Sequence, residues 1–188
     1  MTIQILVPLL LAAVLAVYVG IAIRTAWKMR GKRVVTCPET GTPAGVSVDV
    51  GHAAVSAVWD KTDVRLKECS RWPERHDCDQ PCVCQIEKDP DDTRTKMIAT
   101  HFFAGKACVI CHKPIEAPNA ATLQPGFMNP EGHAVFAWDE VAPAKLPDAV
   151  EHHYPLCANC TLAESFRQRF PDKVTDKAIR PGTSLPPQ

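Results

Sequence analysis

The chain has 188 residues, and its 21 Lys and Arg balance 21 Asp and Glu, so the formal net charge is zero. This balance excludes the strongly basic surface typical of nucleic-acid-binding proteins, and we expect no nucleic-acid partner. Nine cysteines and 17 prolines stand out in the composition. They predict a small, loop-rich α+β fold that metal ions stabilise more than a large core does.

The first predicted element is an apolar segment, residues 3–23, which carries no charged side chain over 21 residues. As a helix rising about 1.5 Å per residue, it would span the roughly 30 Å hydrocarbon core of a bilayer. A cleaved signal peptide is the alternative, but no basic n-region and no small-residue cleavage site accompany the segment. We therefore expect residues 1–33 to form a retained single-pass membrane anchor.

Basic residues follow this segment directly, and no acidic residue occurs before Glu39. They are Arg24, Lys28, Arg30, Lys32 and Arg33. Because Lys and Arg stay on the cytoplasmic side, we expect the N-terminus outside and the soluble part in the cytoplasm, at a bacterial-type inner membrane. A reducing cytoplasm favours metal binding over disulfides as the role of the cysteines.

Residues 34–90 are predicted to form a zinc-ribbon-like β unit. Alternating valines indicate one strand over residues 45–50 and a second over residues 62–69, with a loop over 51–61 between them. A short helix is expected over residues 80–87.

Four cysteines of this unit form a looser candidate metal site: Cys37, Cys69, Cys78 and Cys82, with spacers of 31, 8 and 3 residues. Thiolates presented from a turn, a strand end and a helix start can converge on one zinc ion, although these spacings fit no strict pattern. His52, His76 or Cys84 could replace one ligand, and an iron–sulfur cluster is a further alternative. Otherwise Cys84 is expected to be a free thiol.

A connecting helix is predicted over residues 91–105. Asp91 and Asp92 stand at its start, where carboxylates suit the helix dipole, and Gly105 stands at its end. Apolar residues at three- and four-residue spacing predict that one face of this helix packs between the two halves of the soluble part.

The clearest metal-binding pattern lies in residues 106–171, where two Cys-x-x-Cys pairs are separated by 45 residues. The pairs are Cys108 with Cys111 and Cys157 with Cys160. A strand is expected near residues 133–141, and a helix with an apolar stripe of Leu162, Phe166 and Phe170 follows the second pair. Knuckle, hairpin and ligand-bearing helix together resemble treble-clef and zinc-ribbon-type four-cysteine zinc-binding domains, which implies one tetrahedral zinc ion.

Two other interpretations use the same residues. Cys108, Cys111 and His112 also match the attachment motif of a c-type haem, with Met128 as an axial ligand, but that reading leaves the second pair unexplained and requires the opposite topology. HNH nucleases carry similar cysteine pairs, yet no Asp-His pair stands in the hairpin region.

The two groups of four cysteines predict two zinc ions. A zinc site with four thiolate ligands is closed and stabilises the fold, whereas a catalytic zinc site keeps an open position, so we expect no enzyme activity and no small-molecule substrate. The predicted function is a membrane-anchored zinc-binding scaffold or accessory subunit of a membrane complex, such as a respiratory one. It would contact the bilayer through residues 3–23 and its partners through exposed aromatic residues, namely Trp72, Phe127 and Trp138.

An electron-transfer subunit with thiolate-bound iron, an iron–sulfur cluster or haem is the alternative function. A regulator with a redox-sensing Cys84 is a third. Residues 172–188 are expected to be a disordered tail.

Overall fold

The computed structural model describes residues 2–75, 77–119, 123–131 and 134–174. It is a mixed helix and sheet structure, as predicted. The helices are α1 (Thr2–Met29), α2 (Val50–Trp59), α3 (Val83–Lys88), α4 (Thr95–Phe103), α5 (Leu146–His152) and α6 (Ala158–Arg169). The strands are β1 (Lys32–Thr36), β2 (Pro43–Val48), β3 (Leu66–Cys69), β4 (Gly126–Met128), β5 (Val135–Ala137) and β6 (Tyr154–Leu156). Short 3-10 helices cover Trp138–Glu140, Pro143–Lys145 and Pro171–Lys173.

Helix α1 confirms the predicted apolar helix. Within the described residues, it is the one helix long and apolar enough to cross a membrane, a property that N-terminal signal sequences share. The side chains of residues 6–21 are all exposed, and burial begins only in the last two turns, where Met29 enters the core. The apolar surface of α1 therefore has no protein partner within the described part of this chain over most of its length.

The first sheet is antiparallel, in the order β1-β2-β3. Alternate residues of β2, which are Ala44, Val46 and Val48, point into a core that also contains Met29 of α1 and Ile86 of α3. Strand β1 is not among the predicted strands, and it crosses the predicted boundary between the membrane anchor and the β unit, because Lys32 and Arg33 belong to the basic flank and the rest of the strand follows it. The two strands predicted for this unit are confirmed, with somewhat different bounds.

The loop predicted between these strands is wrong, because the segment forms α2. The side chain of Asp49 caps this helix by accepting a hydrogen bond from the backbone N–H of His52 at 2.9 Å. Ala53 is fully buried, and His52 Nε2 lies 2.8 Å from the carboxylate of Asp63. The segment therefore packs against the sheet and α1 as a short helix instead of crossing the surface as a loop.

The second sheet is also antiparallel, in the order β5-β4-β6, and each of its strands has three residues. Phe127 of β4 is fully buried and its ring packs against those of Phe102, Phe103 and Phe136, with centroid separations of 5.3, 5.3 and 6.0 Å. Phe102 and Phe103 belong to α4, so the predicted connecting helix supplies much of this second core.

Helix α4 itself differs from the prediction at its start. The N-cap position is Arg94, not Asp91 or Asp92, and it makes no side-chain capping bond. Ala99, Phe102 and Phe103 are its buried residues, whereas His101 is exposed. The predicted C-terminal glycine is confirmed, since Gly105 has the left-handed φ of 71° that this position favours.

Two arginines join the end of α1 to the soluble part. The Arg33 side chain is fully buried and donates hydrogen bonds to the Lys28 carbonyl at 2.7 Å, to Thr93 Oγ1 at 2.9 Å and to the Pro90 carbonyl. Arg94 donates to the carbonyls of Trp27, at 3.0 Å, and Lys28. These guanidinium groups satisfy the free carbonyls at the C-terminus of α1 and place positive charge at the negative end of its dipole.

The buried Arg33 remains charged at neutral pH. Burial, and then the nearby charge of Arg94, lower the pKa of Arg33 to about 10, while Asp91 acts in the opposite direction. Because this value still lies well above neutral, the link between α1 and the soluble part is an ionic hydrogen-bond network under ordinary conditions.

Candidate metal centre

The first cysteine pair lies in a tight turn between Ala107 and Pro114, which form an isolated β-bridge. The Cys108 N–H donates to the Lys113 carbonyl at 2.9 Å, and the His112 N–H donates to the Cys108 carbonyl at 2.8 Å. His112 adopts a left-handed φ of 58°, which reverses the chain direction at the end of the pair. The turn thus places two thiols three positions apart on one side of the backbone.

The second pair lies where β6 ends and α6 begins. Cys157 is the N-cap residue of α6, and Cys160 lies in the first turn of this helix. Thr161 is buried and holds this turn in place, because its N–H and its hydroxyl both donate to the Cys157 carbonyl, at 2.9 and 3.0 Å. A hydrogen bond of 3.1 Å from the Val109 N–H to the Pro155 carbonyl joins the turn of the first pair to β6, the strand that precedes the second pair.

The sulfur atoms of the four cysteines form one cluster, in which all lie within 4.8 Å of one another. Cys111 Sγ and Cys157 Sγ are 3.6 Å apart. A tetrahedral zinc ion with Zn–S bonds of about 2.3 Å requires sulfur atoms about 3.8 Å apart. Cys108 is fully buried and the other three are half-buried, so the cluster could hold one metal ion beneath the surface.

The electrostatics of the cluster favour a bound cation. Burial raises the pKa of the Cys108 thiol, but backbone N–H donors outweigh it and lower this pKa to about 7. These donors are the N–H groups of Cys111, Cys157 and Ile110. Burial is the main cause that raises the pKa values of Cys157 and Cys160. The other three thiols raise the pKa of Cys160 further, whereas hydrogen bonds from Cys160 partly oppose the rise at Cys157. One thiolate therefore forms readily, and a divalent cation would supply the positive charge that the others need to ionise.

Four thiolates are a donor set that suits zinc or iron, and they fill every position of a tetrahedron. The described geometry is consistent with a zinc-ribbon-like site. It leaves no position for a metal-bound water, which is the group that catalytic zinc sites activate.

The remaining predicted ligands lie together but less closely. Cys37, Cys69, Cys78 and Cys82 all line one enclosed cavity of about 20 Å³ beside Leu66 and Trp72. In the described part of the chain, the tight grouping of sulfur atoms within 4.8 Å is found for the Cys108 cluster and not for these four.

These four thiols nevertheless affect one another. The pKa of Cys82 is raised to about 11, mainly by burial and then by the charges of Cys69, Cys78 and Cys37. The pKa of Cys37 is lowered, because the hydroxyl of Thr40 and the backbone N–H groups of Thr40 and Glu39 donate to its sulfur. The turn after β1 thus stabilises one thiolate at the edge of the cavity.

The alternative ligands for this second site have other positions. Cys84 is exposed, donates its thiol to the Pro81 carbonyl at 3.1 Å and does not line the cavity. His52 pairs with Asp63 and also lies outside the cavity lining. His76 falls outside the described residues.

The aromatic residues proposed for partner contact are mostly inside the protein. The predicted exposure is wrong for Phe127, which is fully buried, and Trp72 and Trp138 are half-buried. The large apolar side chains that are exposed in the soluble part lie elsewhere, chiefly Val55 and Trp59 on α2 and Leu162, Phe166 and Phe170 at α6. The last three form the predicted stripe, but solvent still reaches them.

Comparison of the chain with protein-family models, with curated proteins and with solved structures finds no match. The functional assignment therefore depends on the cysteine geometry and on α1.

Proposed function

We propose that the protein is a non-enzymatic, membrane-anchored scaffold or accessory subunit whose soluble part is stabilised by zinc. The observation that carries the proposal is the cluster of four cysteine sulfurs within 4.8 Å, in which protein groups fill the whole coordination sphere. A closed site of this kind contributes to folding and offers no position for substrate.

Zinc explains why this region folds with so little regular structure. The second sheet has only three-residue strands, and among the described residues between Cys111 and Cys157 the one α-helix has seven residues and the two 3-10 helices have three each. A structural zinc ion adds on the order of 10 kcal/mol to folding, which offsets the ordering cost of such a segment. We assign the region to the treble-clef or zinc-ribbon-like class of sites on this basis.

We extend the proposal to a second zinc ion at Cys37, Cys69, Cys78 and Cys82. These four side chains surround a cavity of about 20 Å³, which is about the space of a single water-sized sphere. One zinc ion bound by all four sulfur atoms would have a complete tetrahedral shell there. Arg71 and Arg75 line the same cavity, where Arg71 pairs with Glu74 at 3.5 Å and Arg75 with Glu39 at 2.7 Å.

Helix α1 supports the membrane part of the proposal. Its exposed apolar surface suits lipid, and the basic residues at its C-terminal end favour a cytoplasmic soluble part at a bacterial-type inner membrane. The partners would then be subunits of a membrane complex. Protease added outside intact spheroplasts should leave the soluble part uncut, and its digestion there would overturn this orientation.

The full chain, purified in mild detergent, tests the metal assignment. We expect two zinc ions per chain by elemental analysis, no visible absorption band, and unfolding of the soluble part when a strong chelator is added. One zinc ion would refute the second site. Iron together with a visible band would instead establish the electron-transfer alternative, because four-thiolate iron, iron–sulfur clusters and haem are coloured and zinc is not.

Co-purification tests the scaffold role. The tagged chain should retain defined membrane-complex subunits, and a Cys111→Ser chain, which lacks one ligand of the Cys108 cluster, should lose them. Cys84→Ser is the matched control, because this thiol lies outside both cysteine groups. Retention of the same subunits by the Cys111→Ser chain would show that the metal-stabilised region is not the scaffold.

A further inference from the structure

Helix α2 has an unusual surface for a helix outside a membrane. Over its ten residues it carries no Asp, Glu, Lys or Arg, and its exposed residues include Val55 and Trp59. Val55 is 63% exposed and Trp59 is 84% exposed. Exposing so much of a Trp side chain to water is unfavourable, and its transfer to an environment with both apolar and polar groups is favourable.

The polar groups of α2 are directed at the protein, not at solvent. His52 Nε2 contacts the Asp63 carboxylate at 2.8 Å, and Ser56 Oγ accepts the Asp63 N–H at 3.0 Å while donating to the Ala53 carbonyl at 3.2 Å. The charged residues that flank the helix, Asp49 and Asp60, lie at its two caps. The outward face between the caps is therefore apolar.

Helix α2 lies beside the membrane anchor. Helix α2 packs against α1, and its buried Ala53 shares a core with Met29 of α1. Burial on α1 starts at residue 22, where Ala22, Thr25 and Ala26 become half-buried. The contact therefore involves the last two turns of α1, residues 22–29.

The length of α1 sets the depth of these turns. The helix has 28 residues and is about 42 Å long, whereas the hydrocarbon core takes about 20 residues, or roughly 30 Å. If the uncharged residues 3–23 occupy that core, the last turns lie among the lipid headgroups. Trp27, with the guanidinium of Arg30 3.9 Å from its ring centroid, lies there, at the level where Trp side chains concentrate.

We propose that α2 is a second membrane contact, which lies in the plane of the headgroup region and inserts Val55 and Trp59 into the lipid at the cytoplasmic end of α1. This inference rests on the membrane anchoring proposed above. The exposed basic residues of the flank attract anionic headgroups to the same level, and the packing of α2 against the last two turns of α1 brings α2 to the headgroup region. With two contacts, the soluble part is held at a fixed angle to the bilayer.

Tryptophan quenching in nanodiscs tests the proposal with the full chain. The nanodiscs contain phosphatidylethanolamine and phosphatidylglycerol, with acyl chains brominated near the headgroup, which quench only tryptophans in contact with lipid. The parent chain is compared with Trp59→Phe, Trp27→Phe and Trp138→Phe chains. Trp138 is the matched control, because it is half-buried beside Gln124 in the second core.

We expect the Trp59→Phe and Trp27→Phe chains each to lose about half of the lipid-dependent quenching, and the Trp138→Phe chain to lose none. Equal metal content and equal far-ultraviolet circular dichroism would show that each variant is folded. If Trp59→Phe leaves the lipid quenching unchanged and removes quenching by aqueous iodide, the α2 contact is refuted. If Trp27 also fails to be quenched by lipid, the membrane anchoring itself is refuted, so the two failures are distinct.

Discussion

The two groups of four cysteines differ in how their residues are brought together. In the Cys108 cluster, two turns each supply a pair of thiols, and the sulfurs lie within 4.8 Å of one another. In the second group, Cys37, Cys69, Cys78 and Cys82 come from four places along the chain and surround a cavity of about 20 Å³. The first arrangement is largely set by local geometry, and the second depends on the complete fold around it.

This difference predicts how each group depends on its metal. Around the Cys108 cluster the regular structure is sparse, so a bound ion would carry much of the stability there. The second group lies on a sheet with strands of up to six residues, whose core includes Met29 of α1 and Ala53 of α2. If this group holds the proposed second ion, that unit would keep its apolar core without it. The same loss of one ligand should therefore have unequal effects in the two groups.

Cys111→Ser is expected to have the largest effect. Cys111 is half-buried in a turn, so the substitution removes a ligand without opening a cavity in the core. The chain should lose one zinc ion and most of the roughly 10 kcal/mol that a structural zinc site contributes, leaving the second core unfolded near room temperature. Elemental analysis and the near-ultraviolet circular dichroism signal of the aromatic residues measure both results.

The prediction fails if the Cys111→Ser chain keeps its full metal content and its thermal transition. In that case Cys111 would not be a ligand on which the metal content or the stability of this part of the fold depends.

Cys78→Ser is the matched substitution in the second group, since Cys78 is also half-buried and lies outside regular structure. We expect the loss of one zinc ion and a decrease of about 4 kcal/mol in the free energy of unfolding, which is at the upper end for a single substitution. The sheet should still form. Hydrogen exchange of the β1 and β2 amides, compared with that of β4 and β6, measures the effect on each unit. Equal loss of protection in all four strands would contradict the proposed difference between the groups.

The same contrast explains what could be predicted from the sequence. The Cys-x-x-Cys pairs and α1 are recognisable because each depends on residues close together in the chain. Strands β4 and β6 were missed, since three residues are too few to show a period of two. Helix α2 could not be predicted from its sequence, because it has apolar residues on both its buried and its exposed face and so shows no amphipathic pattern. Its exposed apolar residues can be interpreted only from its position beside α1.

The site was predictable to a similar degree. The sequence identified Cys108, Cys111, Cys157 and Cys160 as one set, and the structure brings them together. It gave no signal for Arg33, whose full burial depends on carbonyl groups in α1 and in the segment before α4. Contacts of this kind follow from tertiary packing, which no local spacing encodes.

Gly45→Ala tests whether the two regions depend on each other. An added Cβ at Gly45 of β2 would lie 2.8 Å from Pro143 Cβ and 3.2 Å from the Ala144 nitrogen, which belong to the segment before α5. We expect the free energy of unfolding to fall by about 1–3 kcal/mol, which is typical of overpacking, while the metal content stays unchanged. Thermal unfolding followed by circular dichroism, with elemental analysis of the same sample, measures this.

Gly41→Ala provides a contrast within the same unit, because nothing lies within 4 Å of its added Cβ, although the left-handed φ of 67° strains an alanine there. If Gly45→Ala lowers the transition of the second core as well as the first, the two regions are coupled through this contact. If it destabilises the first sheet alone, the two units unfold independently.

Cys84→Ser should have the smallest effect. Its thiol is exposed, does not line the cavity of the second group and donates only to the Pro81 carbonyl, a bond that a serine hydroxyl can replace. The stability change should stay within about 0.5 kcal/mol, and the metal content should not change.

An exposed free thiol is also the one that a mild oxidant should reach first. The Cys84→Ser chain therefore distinguishes oxidation of Cys84 from oxidation of the metal-binding cysteines. If oxidant changes partner binding in the parent chain but not in the Cys84→Ser chain, Cys84 is a redox sensor. If both chains respond with release of zinc, the oxidant acts on the metal thiolates, and the difference between the two cysteine groups then determines which ion leaves first.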